Sequence, residues 1–287
     1  MLQNGFINII KPTGMTSSDV VCKAKKILKT KKIGHLGTLD PAASGVLPLA
    51  FGKATKFFDY FLKKDKEYIA DVKFGILTDT LDSFGLITEY NSKTLSNQQI
   101  KDVLNEFIGK IRQVPPLYSA IKINGKKACD LARNGKEVEL KSREIEIYSI
   151  KLLDKLDENF FRFKVHCSAG TYIRTLFNDI AMRLGTVATT SVIIRSKSGL
   201  FKIENAVTLD ELSEQTCSSI EDIFSSFTKI EISNLVILKK LLNGVKLNKS
   251  ELNIDCIDHF FLTNQTRTIG MYHYDEDKLI CDVFLAE

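Results

Sequence analysis

Residues 34–45 read GHLGTLDPAASG, and this stretch decides how the first part of the chain is interpreted. Three glycines punctuate it, which predicts a loop. Before the loop, residues 5–10 predict a short buried strand, and residues 17–29 place apolar side chains on one face of a helix. After it, residues 46–51 predict a further strand. The loop therefore joins regular elements on both sides and presents one carboxylate, Asp40.

Alternating patterns continue along the chain without a strict strand–helix repeat. Residues 66–75, 143–151 and 159–167 alternate as half-buried strands do. Residues 171–184 predict a helix closed by Gly185. Because strands outnumber and interrupt the helices, the sequence favours an α+β fold with a mixed, largely antiparallel sheet.

The chain divides near residue 228. Residues 204–229 are acidic and serine-rich, which predicts a connector with a short helix. Residues 230–287 begin with an amphipathic helix and continue with three or four short strands. At 287 residues the chain exceeds a typical single domain. We therefore expect a large α+β domain at 1–228 and a small β-rich domain at 229–287.

Positive charge is concentrated at the N-terminal end. Residues 1–66 hold twelve lysines and four acidic residues, a net of +8, whereas the whole chain has a net charge of +5. This excess predicts a polyanionic partner, with nucleic acid first. A solvated lysine-rich surface without a partner is the alternative, and charge alone does not separate the two.

Several function classes are disfavoured by composition. There is no run of about 18 apolar residues of the kind that spans a membrane, and the N-terminus lacks the layout of a signal peptide. None of the six cysteines forms a CxxC pair, and the four histidines do not complete a zinc spacing. We expect reduced thiols in a cytoplasmic protein, with no metal site and no membrane partner.

Local chemistry leaves two interpretations of Asp40. Pro41 biases Asp40 towards an extended conformation, and the nearby glycines permit close approach of a ligand. Presented in that way, the carboxylate can serve as a nucleophile or a base. The alternative is a side chain that caps a turn, as Asp often does before Pro. Without further information the second interpretation is favoured.

Four sequence blocks in preserved order resemble the bacterial TruB family, whose members are tRNA pseudouridine synthases. They are residues 5–57 around the loop, KEYIADVKFG at 66–75, VPPLYSAIKINGKKACDLARNGKEV at 114–138 and VHCSAGTYIRTLFNDIAMRLG at 165–185. The resemblance implies the pseudouridine synthase fold. It also implies isomerisation of uridine to pseudouridine in the T-loop of tRNA, at position 55.

Three catalytic residues follow from the resemblance. Asp40 matches the catalytic carboxylate, which either attacks C1′ or removes the C2′ proton. Tyr68 matches an active-site tyrosine that stacks on the base and serves in proton removal from C5. Arg174 matches the arginine that pairs with the catalytic Asp and holds it ionised. A core tyrosine and an exposed helix arginine are the respective alternatives. The family reaction needs no cofactor and no metal.

The resemblance also implies a substrate-binding set. His35 matches a histidine that fills the space left by the flipped base, and Tyr172 matches a second pocket aromatic. A loop imidazole and a core tyrosine are the alternatives. The full set is Lys11, which is also expected to support the loop, with His35, Gly37, Thr38, Lys122, Tyr172 and Ile193. The lysines expected to contact phosphates are Lys23, Lys25, Lys26, Lys29, Lys31 and Lys32, with Lys122 or Lys126.

The chain departs from the family pattern at two places. Ala128-Cys129 stands where the family often has a tyrosine, and residues 188–200 follow the usual Leu-Arg-Arg pattern only loosely. Residues 230–287 resemble the small RNA-binding module called PUA, with a β appendage as the alternative. The expected partner is the T-arm of tRNA, bound by a monomer. Competing hypotheses are a non-catalytic tRNA-binding or tRNA-folding protein and a guide-RNA-dependent synthase.

Overall fold

The fold is described by a computed structural model of the chain. It describes residues 3–119, 140–252, 254, 258–265 and 267–286, together with the backbone alone of residues 122–123 and 126–127. The sequence also predicts a turn at Asn124-Gly125 and a helix at 128–133, and both lie outside the described residues.

Seven α-helices and seventeen strands are formed by the described residues. The helices are α1 Ser17–Ile27, α2 Phe58–Leu62, α3 Asn97–Leu104, α4 Ile173–Arg183, α5 Ile220–Ile223, α6 Leu235–Leu242 and α7 Lys249–Leu252. The first nine strands are β1 Gly5–Lys11, β2 Ile33–His35, β3 Ser44–Phe51, β4 Lys66–Phe74, β5 Ile76–Thr78, β6 Ile87–Tyr90, β7 Gly109–Gln113, β8 Lys122–Ile123 and β9 Lys126–Lys127. The others are β10 Arg143–Asp157, β11 Phe160–Cys167, β12 Ala188–Ser198, β13 Phe201–Lys202, β14 Lys229–Glu231, β15 Phe260–Asn264, β16 Arg267–Asp275 and β17 Lys278–Phe284.

One large sheet organises most of the chain. Its strand order is β1-β3-β12-β4-β11-β10-β7, with β2 paired to β3 and β13 paired to β12. Each neighbouring pair is antiparallel except β3 and β12, which run parallel. The predicted α+β fold with a mixed, largely antiparallel sheet is confirmed.

The two faces of this sheet bury different sets of apolar side chains, because neighbouring residues of a strand point to opposite faces. In β1, Ile7 and Ile9 join the larger core, which includes apolar residues of α1, α3 and α4. Phe6 joins a second cluster instead. Its ring lies within 6.1 Å, centroid to centroid, of the rings of Phe57, Phe61, Phe201 and Phe224.

A four-stranded sheet of order β14-β15-β16-β17 forms the C-terminal part of the chain. It has a core of its own, which includes Leu241, Phe260 and Leu262. Phe261 and Met271 from the same sheet belong to the second cluster around Phe6. The C-terminal sheet is therefore packed on the large sheet through shared apolar contacts.

Element boundaries differ from the sequence predictions at several points. Ser17, Ser18 and Asp19 are residue types that predict a helix cap at one of these positions, whereas Thr16 caps α1 in a capping box with Asp19. The sequence predicts one helix at 54–63, whereas the structure forms a 3₁₀ helix at Gly52–Phe57 followed by α2. Strand β14 precedes α6 and was not predicted, because three residues give too short a pattern.

Gly45 allows the parallel strands β3 and β12 to approach closely. It pairs with Arg195 across the two strands and has a φ of 100°. A Cβ atom at this position would lie 2.4 Å from the Arg195 carbonyl oxygen, well inside van der Waals contact. Glycine therefore meets both a backbone and a space requirement here, and it sets Arg195 directly beside the loop that precedes β3.

Within the described part of the chain, no helix combines the length and the apolar character needed to cross a membrane.

Candidate active site

The Asp40 loop, residues 36–43, connects β2 to β3 and is anchored by a buried serine. The Ser17 hydroxyl accepts a hydrogen bond from the Leu39 amide at 2.9 Å and donates one to the Leu39 carbonyl at 3.0 Å. Both groups of the Leu39 peptide are thereby satisfied away from water. The first turn of α1 thus fixes the residue immediately before Asp40.

Arg195 holds the same loop from β12. It is buried, and its guanidinium donates to the carbonyls of Gly37 and Thr38 at 3.1 Å each and to the Val46 carbonyl at 2.8 Å. Arg195 also pairs with Tyr68 across β12 and β4. One side chain therefore links the loop, β3 and the strand that carries Tyr68.

Lys11 supports the residue that follows Asp40. It is fully buried, and its Nζ donates to the carbonyls of Met15 at 2.7 Å, Pro12 at 2.8 Å and Pro41 at 3.4 Å. Burial lowers the pKa of Lys11 to about 8, and the nearby Asp40 carboxylate opposes that shift. In this position Lys11 binds the backbone of the loop, as the supporting role of its sequence block suggests.

Asp40 is paired with a buried arginine. Arg174 Nη2 lies 2.7 Å from Asp40 Oδ2. The side chain of Arg174 is 3% exposed, whereas that of Asp40 is 33% exposed. The guanidinium therefore belongs to the interior, and the carboxylate that it orients faces an opening.

Arg174 has further partners that fix its own direction. Its guanidinium donates to the carbonyls of Thr80 at 2.7 Å and Tyr118 at 2.9 Å. Asp82 Oδ2 lies 3.5 Å from Nη1 and is buried. Asp82 is held in turn by the Thr80 hydroxyl and the Phe84 amide. The arginine is thus enclosed by two carboxylates and two carbonyls, as a buried cation requires.

The opening beside Asp40 is a cleft of about 430 Å³, within the usual range for small-molecule sites. We call it the Asp40 cleft. It brings together six of the residues singled out in the sequence: Gly37, Thr38, Asp40, Tyr68, Tyr172 and Ile193, with Arg174 beneath them. Its other walls are Leu39, Ala43, Leu62, Lys66, Arg143, Ser168, Gly170, Thr171, Ile173 and Arg195.

Tyr68 lines the cleft from β4, with Ile193 nearby on β12. Burial raises the pKa of Tyr68 to about 12, while the positive charge of Arg195 opposes the shift. The phenol is therefore neutral at physiological pH. In this form it offers a ring face, a hydroxyl donor and a hydroxyl acceptor to a bound group.

Tyr172 lies at the N-terminus of α4 and is clamped through its backbone. Its amide donates to Gln113 Oε1 at 2.8 Å, and Gln113 Nε2 donates to its carbonyl at 3.1 Å. Above the ring, the Arg143 guanidinium carbon lies 5.3 Å from the ring centroid. Such stacking places a positive charge in the lining of the cleft.

The other residues that were singled out in the sequence and whose side chains are described lie outside the lining of the cleft. His35 ends β2, and its Nδ1 is buried with no hydrogen-bond partner among the residues described. Burial lowers the pKa of His35, so its imidazole is neutral. The side chains of Lys122 and Lys126 are outside the described part. Six lysines lie in α1 or in the segment that follows it. Lys25 is half-buried, and the other five are exposed: Lys23, Lys26, Lys29, Lys31 and Lys32.

Sequence reasoning missed four residues that build the site. Arg195 lies at 188–200, the block that follows the family's Leu-Arg-Arg pattern only loosely. The arginine in that block was a sequence signal that could have identified it as a site residue. Asp82 lies in TDTLDSFG at 78–85, a stretch that predicts only a loop. Ser17 is also a residue type that caps helices, and Gln113 gives no sequence signal, because its role depends on the register of β7.

A family model described as the TruB family pseudouridylate synthase (N terminal domain) matches residues 25–173, more than half of the chain. A tRNA pseudouridine synthase B of Clostridium acetobutylicum is 44% identical over 253 residues, covering 87% of each chain. The protein of the same name in Staphylococcus saprophyticus is 40% identical and covers 97% of each chain.

Solved structures agree with these matches. One titled as a Cbf5-Nop10-Gar1 complex superposes with a TM-score of 0.69 at 29% identity, covering 94% of this chain and 78% of the other. One titled as an H/ACA RNP bound to a substrate RNA containing 2′-deoxyuridine has a TM-score of 0.69 at 26% identity, with 99% and 86% coverage.

Sheet order, cleft and matches together define a pseudouridylate synthase, which is an isomerase. Within that class, the chain belongs to the TruB family.

Replacing Ser17 by alanine tests how the Asp40 loop is anchored. The change leaves the buried amide and carbonyl of Leu39 without partners, so we expect the free energy of unfolding to fall by about 1–3 kcal/mol. The single-turnover rate of pseudouridine formation should fall as well. Urea denaturation and a rate assay measure the two effects. Ser18→Ala is the matched control because Ser18 is exposed. Equal effects of the two substitutions would contradict the anchoring role.

Proposed function

We propose that this protein converts the uridine at position 55, in the T-loop of tRNA, to pseudouridine, with Asp40 as the catalytic carboxylate. Isomerisation of uridine in tRNA is the activity carried by the names of the TruB-family relatives. The T-loop position and the role of Asp40 go beyond that. The role of Asp40 rests on its carboxylate, which is oriented by a buried Arg174 and exposed to the cleft. The T-loop position rests on the resemblance to the TruB family.

The reaction breaks the N1–C1′ bond of uridine and forms a C5–C1′ bond. The base must therefore leave the ribose, turn and be attached again. Asp40 either attacks C1′ or removes the C2′ proton, and both routes leave C5 with a proton to lose and N1 with one to gain. The uracil that departs carries negative charge, which positive groups in the cleft stabilise. Arg143 in the lining of the cleft is such a group.

The size and lining of the cleft support action on a flipped nucleotide. A carboxylate inside a cleft cannot reach the ribose C1′ of a nucleotide whose base is stacked within a folded T-loop, so the nucleotide must be extruded. Extrusion costs a few kcal/mol and is offset by contacts in the pocket. Tyr68 and Tyr172 offer aromatic surfaces for a flipped uracil, and Ile193 offers an apolar one. The lysines of α1 precede the Asp40 loop, and we expect the exposed ones, Lys23 and Lys26, to contact the RNA backbone.

We also propose that the chain has two domains with different functions. Residues 1–228 form the catalytic domain, and residues 229–287 form a PUA-like domain that contacts the rest of the tRNA. The separate core of the C-terminal sheet supports this division. We further place the protein in the cytoplasm as a monomer, and the free thiols of Cys22, Cys167, Cys217 and Cys281 agree with a reducing compartment.

Two other functions are less well supported. A non-catalytic tRNA-binding protein does not need a cleft in which Asp40, Arg174 and Tyr68 meet. A guide-RNA-dependent synthase has support from the solved complexes, at 26–29% identity. The relatives named tRNA pseudouridine synthase B are 40–48% identical and match along up to 97% of this chain, which favours action without a guide.

Asp40→Asn is the first test, because it keeps the size of the side chain and an acceptor for Arg174 but removes the charge. Wild-type protein should convert one uridine in an unmodified tRNA transcript without any guide RNA, and Asp40→Asn should convert none detectable by chemical mapping of pseudouridine. Asp59→Asn, an exposed aspartate on α2, should behave as wild type.

A transcript with cytidine in place of the T-loop uridine tests which nucleotide is modified, independently of whether Asp40 is the catalyst. Product with wild type at another position would reject the T-loop assignment and leave Asp40 as catalyst. Full activity of Asp40→Asn would reject the catalytic assignment.

Two substitutions at Tyr68 separate its ring from its hydroxyl. Tyr68→Phe keeps the ring and should retain tRNA affinity while the rate of product formation falls by about 100-fold, in the range of general acid–base effects. Tyr68→Leu should reduce both the rate and the occupancy of the cleft by the flipped base. Single-turnover rates and fluorescence of a base analogue at the target position measure these effects. A Tyr68→Phe variant with the wild-type rate would remove the hydroxyl from the mechanism.

A further inference from the structure

Three side chains of the C-terminal sheet converge away from the Asp40 cleft. They are His259, immediately before β15, His273 on β16 and Asp282 on β17. One imidazole nitrogen from each histidine and one oxygen of the carboxylate all lie within 4.8 Å of one another. None of the three lines the cleft or enters the proposed reaction.

Strand register brings the three together. Phe260 pairs with Tyr272 in the antiparallel β15–β16 ladder, so His259 and His273 stand side by side, with ring centroids 5.1 Å apart. On β17 the register shifts, because Met271 pairs with Val283 and Tyr272 with Cys281. Asp282 is the extra residue at this irregularity. A β-bulge of this kind re-aims a side chain, and here the carboxylate is turned towards the two imidazoles.

Distances within the cluster suit a small cation. His273 Nδ1 lies 2.6 Å from Asp282 Oδ2, and His259 Nε2 lies 3.7 Å from the same oxygen. In a tetrahedral zinc site with metal–ligand distances of about 2.1 Å, the ligand atoms are about 3.4 Å from one another. Shifts of about 1 Å in the side chains would thus centre an ion among all three ligands.

The surroundings place charge of both signs near the cluster. Asp258 and Asp282 both interact with His259, as does Lys64 from the segment after α2. Lys64 Nζ lies over the ring of Tyr60, 4.0 Å from its centroid. The Tyr60 ring packs edge-on against His259 at 5.2 Å. The cluster therefore lies where the C-terminal sheet meets α2.

We propose that His259, His273 and Asp282 form a binding site for a zinc-class divalent cation, with water at the fourth position. Two imidazoles and one carboxylate favour zinc or cobalt over magnesium and calcium, which prefer oxygen ligands. A bound ion would tie three strands together next to α2. The histidine spacing in the sequence predicted no metal site, because the ligands come from separate strands that only the fold aligns.

A second histidine–aspartate pair in the chain serves as a control, because it has the geometry of an ordinary ion pair and lacks a second histidine. His166 Nε2 lies 2.6 Å from Asp65 Oδ2, the same separation as between His273 and Asp282. There, however, Lys197 Nζ contacts the carboxylate at 2.9 Å in the place of a second imidazole. A cation would be repelled at that pair, so His166→Gln serves as the control.

Metal binding to the full-length chain tests the proposal. After treatment with a chelator, the protein is titrated with Zn²⁺ in competition with a chromogenic chelator, and with Co²⁺ followed by visible absorption. We expect one ion per chain, a tetrahedral Co²⁺ spectrum and no competition from Mg²⁺. His259→Gln and Asp282→Asn should each weaken binding by at least about tenfold, whereas His166→Gln should bind as wild type.

Zn²⁺ should also raise the thermal midpoint of the wild type and of His166→Gln, but not of the two ligand variants. Circular dichroism of the metal-free variants verifies that they are folded. If His259→Gln or Asp282→Asn fails to fold, His259→Asn or His273→Asn is tested in its place. Absence of stoichiometric Zn²⁺ binding by wild type, or equal binding by the ligand variants, would overturn the proposal.

Discussion

The structure depends on one buried cation, the guanidinium of Arg174, and on the groups that must surround it. A charge that is 3% exposed is costly unless it is paired and hydrogen-bonded. Arg174 meets this requirement with Asp40, Asp82 and two carbonyls. Three distant parts of the chain, namely the Asp40 loop, residues 80–82 and Tyr118, therefore converge on α4. Only Asp40 among these partners is substantially open to the cleft, so satisfying the arginine also aims the carboxylate.

A second buried guanidinium, on Arg195, plays the complementary part. Arg174 fixes the side chain of Asp40, whereas Arg195 fixes the backbone of the loop that carries it. The close approach of β3 and β12 at Gly45 makes this possible. Arg195 also pairs with Tyr68 across β12 and β4. The pairing of β12 with both neighbouring strands therefore sets the distance between the Asp40 loop and Tyr68. Pre-organisation of this kind reduces the rearrangement needed when substrate binds.

Periodicity and punctuation predicted the α+β class, most long strands and both eleven-residue helices, α1 and α4. The four sequence blocks predicted several of the residues that meet in the cleft, among them Asp40, Tyr68 and Tyr172. What could not be predicted depends on register. Asp82 and Gln113 act through partners far away in sequence, and the pairing of His259 with His273 becomes visible only when β15 and β16 are aligned. Local patterns carry no information on such pairs.

The most direct measurement of the central claim compares Arg174→Lys with wild type for both tRNA affinity and single-turnover rate. Lysine keeps the charge but cannot hold Asp40, Thr80 and Tyr118 with one planar group. If Arg174 acts by orienting Asp40, the rate should fall by about 100-fold, while the Kd for tRNA stays within about twofold, because a buried side chain contacts no phosphate. Weaker tRNA binding with an unchanged rate would contradict the account.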